Sequence, residues 1–317
     1  MDVAGSVGSG KKFDRVDAKG TSNQSDSESE DAKPVKKTTD GIPKRKGSIY
    51  LDTPNGPNTK VYSMNGVKRG KVLIFNQVTF EDTSYDKRSG THKDVERLFH
   101  VLPRLGFLKE DIHVYEDYSY GEIQRAAMKL ELDEELHQAD CLMVFILTHG
   151  EANDKLMAQN DSYNLYEFLE HFTPTALKSM AGKPKLFIVQ ACRGRKLDRG
   201  VQLRAKLIQA DCAKDVVDSQ SVVYTYPEFA DLLLVMSSHH GHYSFRNETG
   251  SWLIQEFCNV IEECDELATT SIYDLLTETN RAVSMRISSA DGDKDKKKQI
   301  PSFYSTLTKK LYFSPRK

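Results

Sequence analysis

From residue 71 onward, unbroken apolar runs alternate with stretches whose apolar positions recur at helical spacing. The runs are Val72–Phe75, Cys141–Leu147, Leu186–Val189 and Leu232–Met236, with a weaker one at Ile112–Tyr115. Runs of this length without polar interruption suit strands covered on both faces, as in a parallel sheet. Between them, Thr91–Leu105 places Val95, Leu98, Phe99 and Leu102 on one helical face. Trp252–Cys258 and Ser271–Ile287 follow the same period. The alternation predicts an α/β fold with helices packed over the sheet. Leu307–Phe313 alternates apolar and polar residues, which predicts an edge strand.

Two stretches break the pattern. Residues 1–68 are rich in Ser, Asp, Lys, Gly and Thr, with an acidic run from Ser25 to Asp31. So few large apolar residues do not offset the entropy of ordering, which predicts a disordered N-terminal segment. Gly5 and Gly10-Lys11 approach the spacing of a phosphate-binding loop, but Lys12 stands where Ser or Thr is required and no strand precedes it. The second break is Arg193–Ala230, 38 residues that are mostly polar and charged. A structureless connection of that length inside a domain is expected to be functional or cut.

Composition narrows the classes. The chain has 317 residues, 28% of them charged, yet its net charge is only −2. That balance gives no electrostatic footprint for nucleic acid or a membrane surface. No apolar run approaches the roughly 20 residues of a membrane helix, and the N-terminus lacks the apolar core of a signal peptide. A cytoplasmic protein is expected. The five cysteines (Cys141, Cys192, Cys212, Cys258, Cys264) form no CxxC pair and no zinc-ligand spacing with histidine. Neither a metal nor another cofactor is expected. In a reducing compartment such thiols serve packing or catalysis.

Two strand ends supply the candidate chemistry. One run ends in Thr148-His149-Gly150, another in Gln190-Ala191-Cys192-Arg193-Gly194. Functional groups of open parallel sheets gather beyond the carboxyl ends of strands, so neighbouring strands bring His149 and Cys192 to one edge. A Cys–His pair suits nucleophilic acyl transfer, the imidazole assisting the thiolate and then protonating the leaving amine. The adjacent glycines let the backbone turn and present N–H groups to an oxyanion. Taken alone, each of the two residues is more often structural.

The flanking residues change that balance. Gln190-Ala191-Cys192-Arg193-Gly194 matches the pentapeptide of the caspases, whose histidine lies about 50 residues upstream; here the gap is 43. Residues 70–315 resemble effector caspases (peptidase family C14). The resemblance is carried also by Lys87-Arg88-Ser89-Gly90-Thr91, Gly182-Lys183-Pro184-Lys185-Leu186-Phe187, Tyr243-Ser244-Phe245-Arg246-Asn247 and Lys298-Gln299-Ile300-Pro301. It implies a caspase–haemoglobinase fold, a mostly parallel six-stranded sheet flanked by helices. It also implies Cys192 as nucleophile, His149 as acid–base residue, and the Gly150 and Cys192 amides as oxyanion hole. Arg88, Gln190 and Arg246 match the pocket for the substrate aspartate. Two guanidinium groups and an amide fit a short carboxylate. Tyr243, Ser244, Phe245, Asn247 and Trp252 match the neighbouring subsites. Two departures stand out. Thr148 replaces the usual serine, and the loop Ser289–Lys298, which resembles the wall of the fourth subsite, holds Asp and Lys with no aromatic residue.

The resemblance further implies an inactive precursor of three parts: a short N-terminal prodomain (1–68), a large subunit (69–218) and a small subunit (219–317), with 193–230 as the cleavable connector. Asp218 is the expected cut, with Asp211 next. Asp17, with Asp31 as competitor, is expected to release the N-terminal segment. With no room in 1–68 for a recruitment domain of roughly 80 residues, an executioner activated by an upstream initiator caspase is expected. Its implied partners are protein substrates with exposed aspartates, inhibitor-of-apoptosis proteins, and a second copy in a homodimer of large/small heterodimers. Two rival readings make different demands on the sequence. A silent homologue is expected to lose Cys192, His149 or a pocket arginine, and a protease for basic residues needs an acidic pocket.

Overall fold

A computed structural model describes residues 51, 53–194, 196–200, 227–289 and 292–313. The elements in chain order are β1 (Lys68–Asn76), α1 (Thr91–Val101), β2 (Ile112–Glu116), α2 (Tyr120–Lys129), β3 (Ala139–Leu147), the short pair β4 (Lys155–Met157) and β5 (Ser162–Asn164), and α3 (Leu165–Leu169). They continue with β6 (Lys185–Gln190), β7 (Leu232–Met236), the hairpin β8 (Arg246–Asn247) and β9 (Gly250–Ser251), α4 (Trp252–Glu263), α5 (Ile272–Met285) and β10 (Ser302–Ser305). All five predicted runs are strands. They form one six-stranded sheet in the order β10-β7-β6-β3-β1-β2, parallel except for β10.

Every residue of β3, β6 and β7 is buried, because successive side chains feed two different cores. Val72, Ile74, Met143 and Phe145 pack with Leu98 of α1, Phe257 of α4 and Leu275 of α5. Leu73, Phe75, Leu142 and Val144 pack on the opposite face with Ile123 of α2 and Phe168 of α3. The result is a three-layer helix–sheet–helix arrangement that fixes the carboxyl ends of β1, β3, β6 and β7 along one edge. Among the described residues no helix is long and apolar enough to cross a membrane.

Sequence-derived boundaries need three corrections. The helix predicted over Thr91–Leu105 ends at Val101 and tightens into a 3-10 turn at Leu102–Leu105, where Pro103 removes an N–H donor and Gly106 (φ 88°) closes the turn. Leu307–Phe313 is not the edge strand; β10 is, beginning five residues earlier. The alternation in 307–313 is real, since Lys309, Leu311 and Phe313 are buried, but its partners are isolated bridges to Val61 and Ser271. Finally, residues 53–67 pack on the domain although the polar composition placed them in a disordered segment. Tyr62 and Met64 are buried, and the Tyr62 hydroxyl donates to Asp231 at 2.5 Å.

Candidate active site

The register of β3 and β6 sets Leu147 opposite Gln190, and Thr148 N donates to the Gln190 carbonyl at 3.1 Å. His149 and Cys192 each lie two residues beyond that pair, so both emerge at the same level of the same sheet edge. β1 runs on the other side of β3, with Gln77 N bonded to Leu147 O at 2.9 Å. On the far side of β6, Ser237 N bonds to Val189 O at 2.9 Å as β7 ends. Four strand ends thus converge on one cleft.

His149 is held by the loop that follows β1. Its Nε2 lies 2.8 Å from the Asp86 carbonyl, and its ring sits 5.0 Å from Phe80 and 5.6 Å from Tyr85 between centroids. The Tyr85 hydroxyl is in turn tied to Glu151 at 2.9 Å. Because a carbonyl only accepts, Nε2 carries the proton and Nδ1 is left as the basic nitrogen. Burial lowers the imidazole pKa below its ordinary value; the Asp86 bond opposes this, and the charges of Arg88 and Arg246 reinforce it.

Cys192 is half-buried, its sulfur accepting from Ser244 N at 3.5 Å. Burial raises the thiol pKa, against the pull of the Ser244 N–H and of the charges on Arg246, Arg88 and Lys294. Among the described residues no hydrogen bond joins His149 to Cys192, as is common in a site without substrate. The backbone amides of Gly150 and Cys192 donate to no protein acceptor among the described residues. Neither nearby glycine tolerates a side chain: a Cβ on Gly150 would meet the Cys192 carbonyl at 2.4 Å, and one on Gly194 (φ 147°) the Gly241 carbonyl at 2.5 Å.

Arg88 is fully buried. Its Nη1 donates to Gln77 O at 2.9 Å and Thr91 Oγ1 at 2.8 Å. Nε and Nη2 meet no acceptor, and neither does any donor meet Oε1 of buried Gln190. Burial, with Arg246 alongside, pushes the guanidinium down to about 9. A buried cation with open donors is costly unless a counter-charge arrives. Arg246 is partly exposed and fixed by a 3.0 Å bond from Nε to the Ser89 carbonyl.

The remaining predicted residues divide. Ser244 Oγ bonds to the Ala191 carbonyl at 3.1 Å and to Ser237 Oγ at 2.6 Å, tying the subsite segment to the cysteine's own strand. Phe245 and Trp252 pack as a tilted pair with centroids 4.9 Å apart, and Trp252, only 6% exposed, also opens α4. Tyr243 lies at the rim beneath Lys294, whose Nζ is 5.2 Å from the ring centroid. Asn247 makes a local contact. Its Oδ1 accepts from Thr249 N and Oγ1, closing the β8–β9 turn.

Several residues that shape the cleft were not singled out in sequence. Arg193 of the pentapeptide makes a two-pronged ion pair with Asp154 at 2.6 and 3.0 Å, linking the loops after Cys192 and His149. Gln299 accepts from Phe245 N at 2.6 Å and donates to Ser237 O at 2.7 Å. Asp94 accepts from Ser251 N, Ser251 Oγ and Gln255. Gln299 and Asp94 stand in or beside matched motifs, which is the only signal the sequence offered. Asp86 acts through its carbonyl, which no side-chain pattern records.

Known proteins resemble this chain over most of its length. Residues 69–312 match the family model of the caspase domain. The chain is 35% identical to caspase drICE of Drosophila melanogaster over 263 residues, 80% of this chain and 73% of that protein. It is 36% identical to caspase-7 of Gallus gallus over 258 residues, 80% of this chain and 79% of that one. The crystal structure of caspase-1 from Spodoptera frugiperda is similar at a TM-score of 0.74 and 32% identity, covering 84% of this chain and all of that one.

Proposed function

The chain belongs to the caspase family of cysteine endopeptidases that cut after aspartate, and on that premise we propose that it is an executioner of programmed cell death, stored in the cytoplasm as a zymogen. Cys192 attacks the scissile carbonyl, and His149 Nδ1 takes the thiol proton and passes it to the leaving amine. The amides of Gly150 and Cys192 receive the oxyanion. Arg88, Gln190 and Arg246 hold the substrate aspartate, while Tyr243, Ser244, Phe245 and Trp252 hold the residues before it.

The observation that carries this reading is Arg88. A fully buried guanidinium whose Nε and Nη2 meet no acceptor is poorly solvated until a ligand arrives. An aspartate carboxylate accepts from both arginines at once. A lysine or arginine side chain would meet like charge, and asparagine would bring no neutralising charge.

Activation follows by a cut in 193–230, made by an upstream initiator caspase, to give large and small subunits. Two processed copies pair through the free edge of β10, whose Phe303 and Tyr304 are exposed at 36% and 60%. The test is hydrolysis of fluorogenic tetrapeptides ending in Asp, Glu, Asn or Arg by the wild-type protein and by Cys192→Ala. Rapid release after Asp alone, lost in the variant, is the expected result. Inactivity after the connector has been cut would favour the silent-homologue reading instead.

A further inference from the structure

Lys294 overhangs the cleft on a loop that the catalytic roles above leave unassigned. The loop closes on Ser288, which is 5% exposed. Ser288 Oγ donates to Lys294 O at 2.6 Å and accepts from Lys297 N at 2.7 Å. Ser288 N bonds to Lys297 O, and Lys296 N to Ser288 O, both at 2.9 Å. At its far end, Lys298 N bonds to Asp198 O at 2.9 Å, and Gln299 grips Phe245 N and Ser237 O. The loop is therefore braced against both the segment after Cys192 and the subsite segment, so the position of Lys294 is built and not incidental.

What it holds there is a bare cation. The Lys294 ammonium lies over the face of Tyr243 at 5.2 Å and has no carboxylate partner among the described residues. Its charge reaches Cys192 along with those of Arg88 and Arg246. Tyr243 directly precedes Ser244, whose amide touches the Cys192 sulfur. An extended substrate places successive side chains on opposite sides. With the aspartate side chain directed into the Arg88–Gln190 pocket, the side chain of the preceding residue turns the other way, toward Tyr243 and Lys294. An aromatic face and a carboxylate can engage one ammonium together.

We propose that Lys294 is a specificity-determining residue that selects an acidic side chain, Glu or Asp, immediately before the scissile aspartate. The ring of Tyr243 and the aliphatic stem of the lysine still pack an apolar residue there, so the charge adds a preference and does not exclude neutral side chains. This inference rests on the proposed cleavage after aspartate.

The experiment compares kcat/KM for two peptides that end in Asp and differ only in Glu or Gln at the preceding position, which isolates charge from shape. The wild-type enzyme is expected to favour Glu about fivefold at low salt, and the preference to shrink as ionic strength rises. Lys294→Ala removes it, Lys294→Glu reverses it, and Lys294→Arg retains it. The same Glu/Gln swap two residues further upstream, at the position whose wall this loop resembles, should not respond to these variants. A ratio indifferent to the charge at 294, or a response confined to the more distant position, overturns the proposal. Failure to cut either peptide would instead count against cleavage after aspartate, so the two readings fail separately.

Discussion

His149 Nε2 and the carbonyl oxygen of Asp86 meet at 2.8 Å across 63 residues of chain. That bond places the proton on one imidazole nitrogen and leaves the other facing the cleft as the base. It also leaves the ring packed against Phe80 and Tyr85, which contact each other at 5.8 Å, and burial there holds its pKa down. The basic form is the neutral one, so a lowered pKa preserves the base to lower pH, and activity falls only as pH drops through the lowered value. The acid limb of kcat/KM is therefore expected below the ordinary histidine pKa of about 6.5. Phe80→Ala, which exposes the ring, should move that limb upward toward it. A pH–rate profile of both proteins decides the matter; identical limbs would separate the packing from the titration.

Arg88 sets function against stability. Its open Nε and Nη2 make the unliganded fold carry an uncompensated buried cation. Replacing such a group with a similar-sized apolar one is often neutral or stabilising. Arg88→Met is expected to lower kcat/KM on peptides ending in Asp by roughly a thousandfold or more. Its unfolding free energy in urea should stay within about 1 kcal/mol of wild type, or exceed it. A loss of about 3 kcal/mol would show that the bonds to Gln77 and Thr91 matter more to the fold than the buried charge costs. Arg88→Lys should fail as a substitute, because an ammonium lacks the fork that serves both backbone and ligand.

Much of this architecture was legible because burial on two faces writes continuous apolar runs. The five parallel strands and the emergence of His149 and Cys192 at one sheet edge follow from those runs and from parallel register. The edge strand was misplaced for the opposite reason. β10 has exposed Phe303 and Tyr304 and only four residues, whereas 309–313 alternates cleanly while pairing with the chain near Val61. Asp86 and Gln299 were hidden because one works through its backbone and the other through a long-range bond to backbone.

Arg193 and Asp154 offer a test of how the two catalytic loops are coupled. Asp154 adopts φ 55°, an unusual conformation for a non-glycine residue, and is nearly buried beneath the guanidinium. Arg193→Ala leaves that carboxylate without its counter-charge, at an expected cost of about 3 kcal/mol. Adding Asp154→Asn should recover part of the loss, giving a coupling of about 1–3 kcal/mol in a double-mutant cycle. Urea melts of the four proteins measure it. Additive losses would mean that the pair is merely adjacent, the loop after Cys192 being held instead by the backbone bonds of Arg193 to His242 and Gly241.

Processing is the last expectation, and it concerns residues outside those described: Asp17, Asp31, Asp211 and Asp218. The connector is anchored where it leaves the site, since Lys196 N bonds to Gly241 O and Tyr243 N to Lys196 O, and Asp198 bridges Lys298. Both connector sites lie beyond that anchor in sequence, so a cut at either leaves these bonds intact. Asp218→Ala should slow conversion and shift it to Asp211, and Asp211→Ala/Asp218→Ala should remain a single chain with activity strongly reduced. A separate cut after Asp17, or Asp31 in its absence, should shorten the N-terminus without changing kcat/KM, because the packed residues 53–67 stay attached. Intact-mass spectrometry across an activation time course reads all of these fragments. A fully active enzyme that still yields an unbroken 211–219 peptide would remove the connector cut from the mechanism.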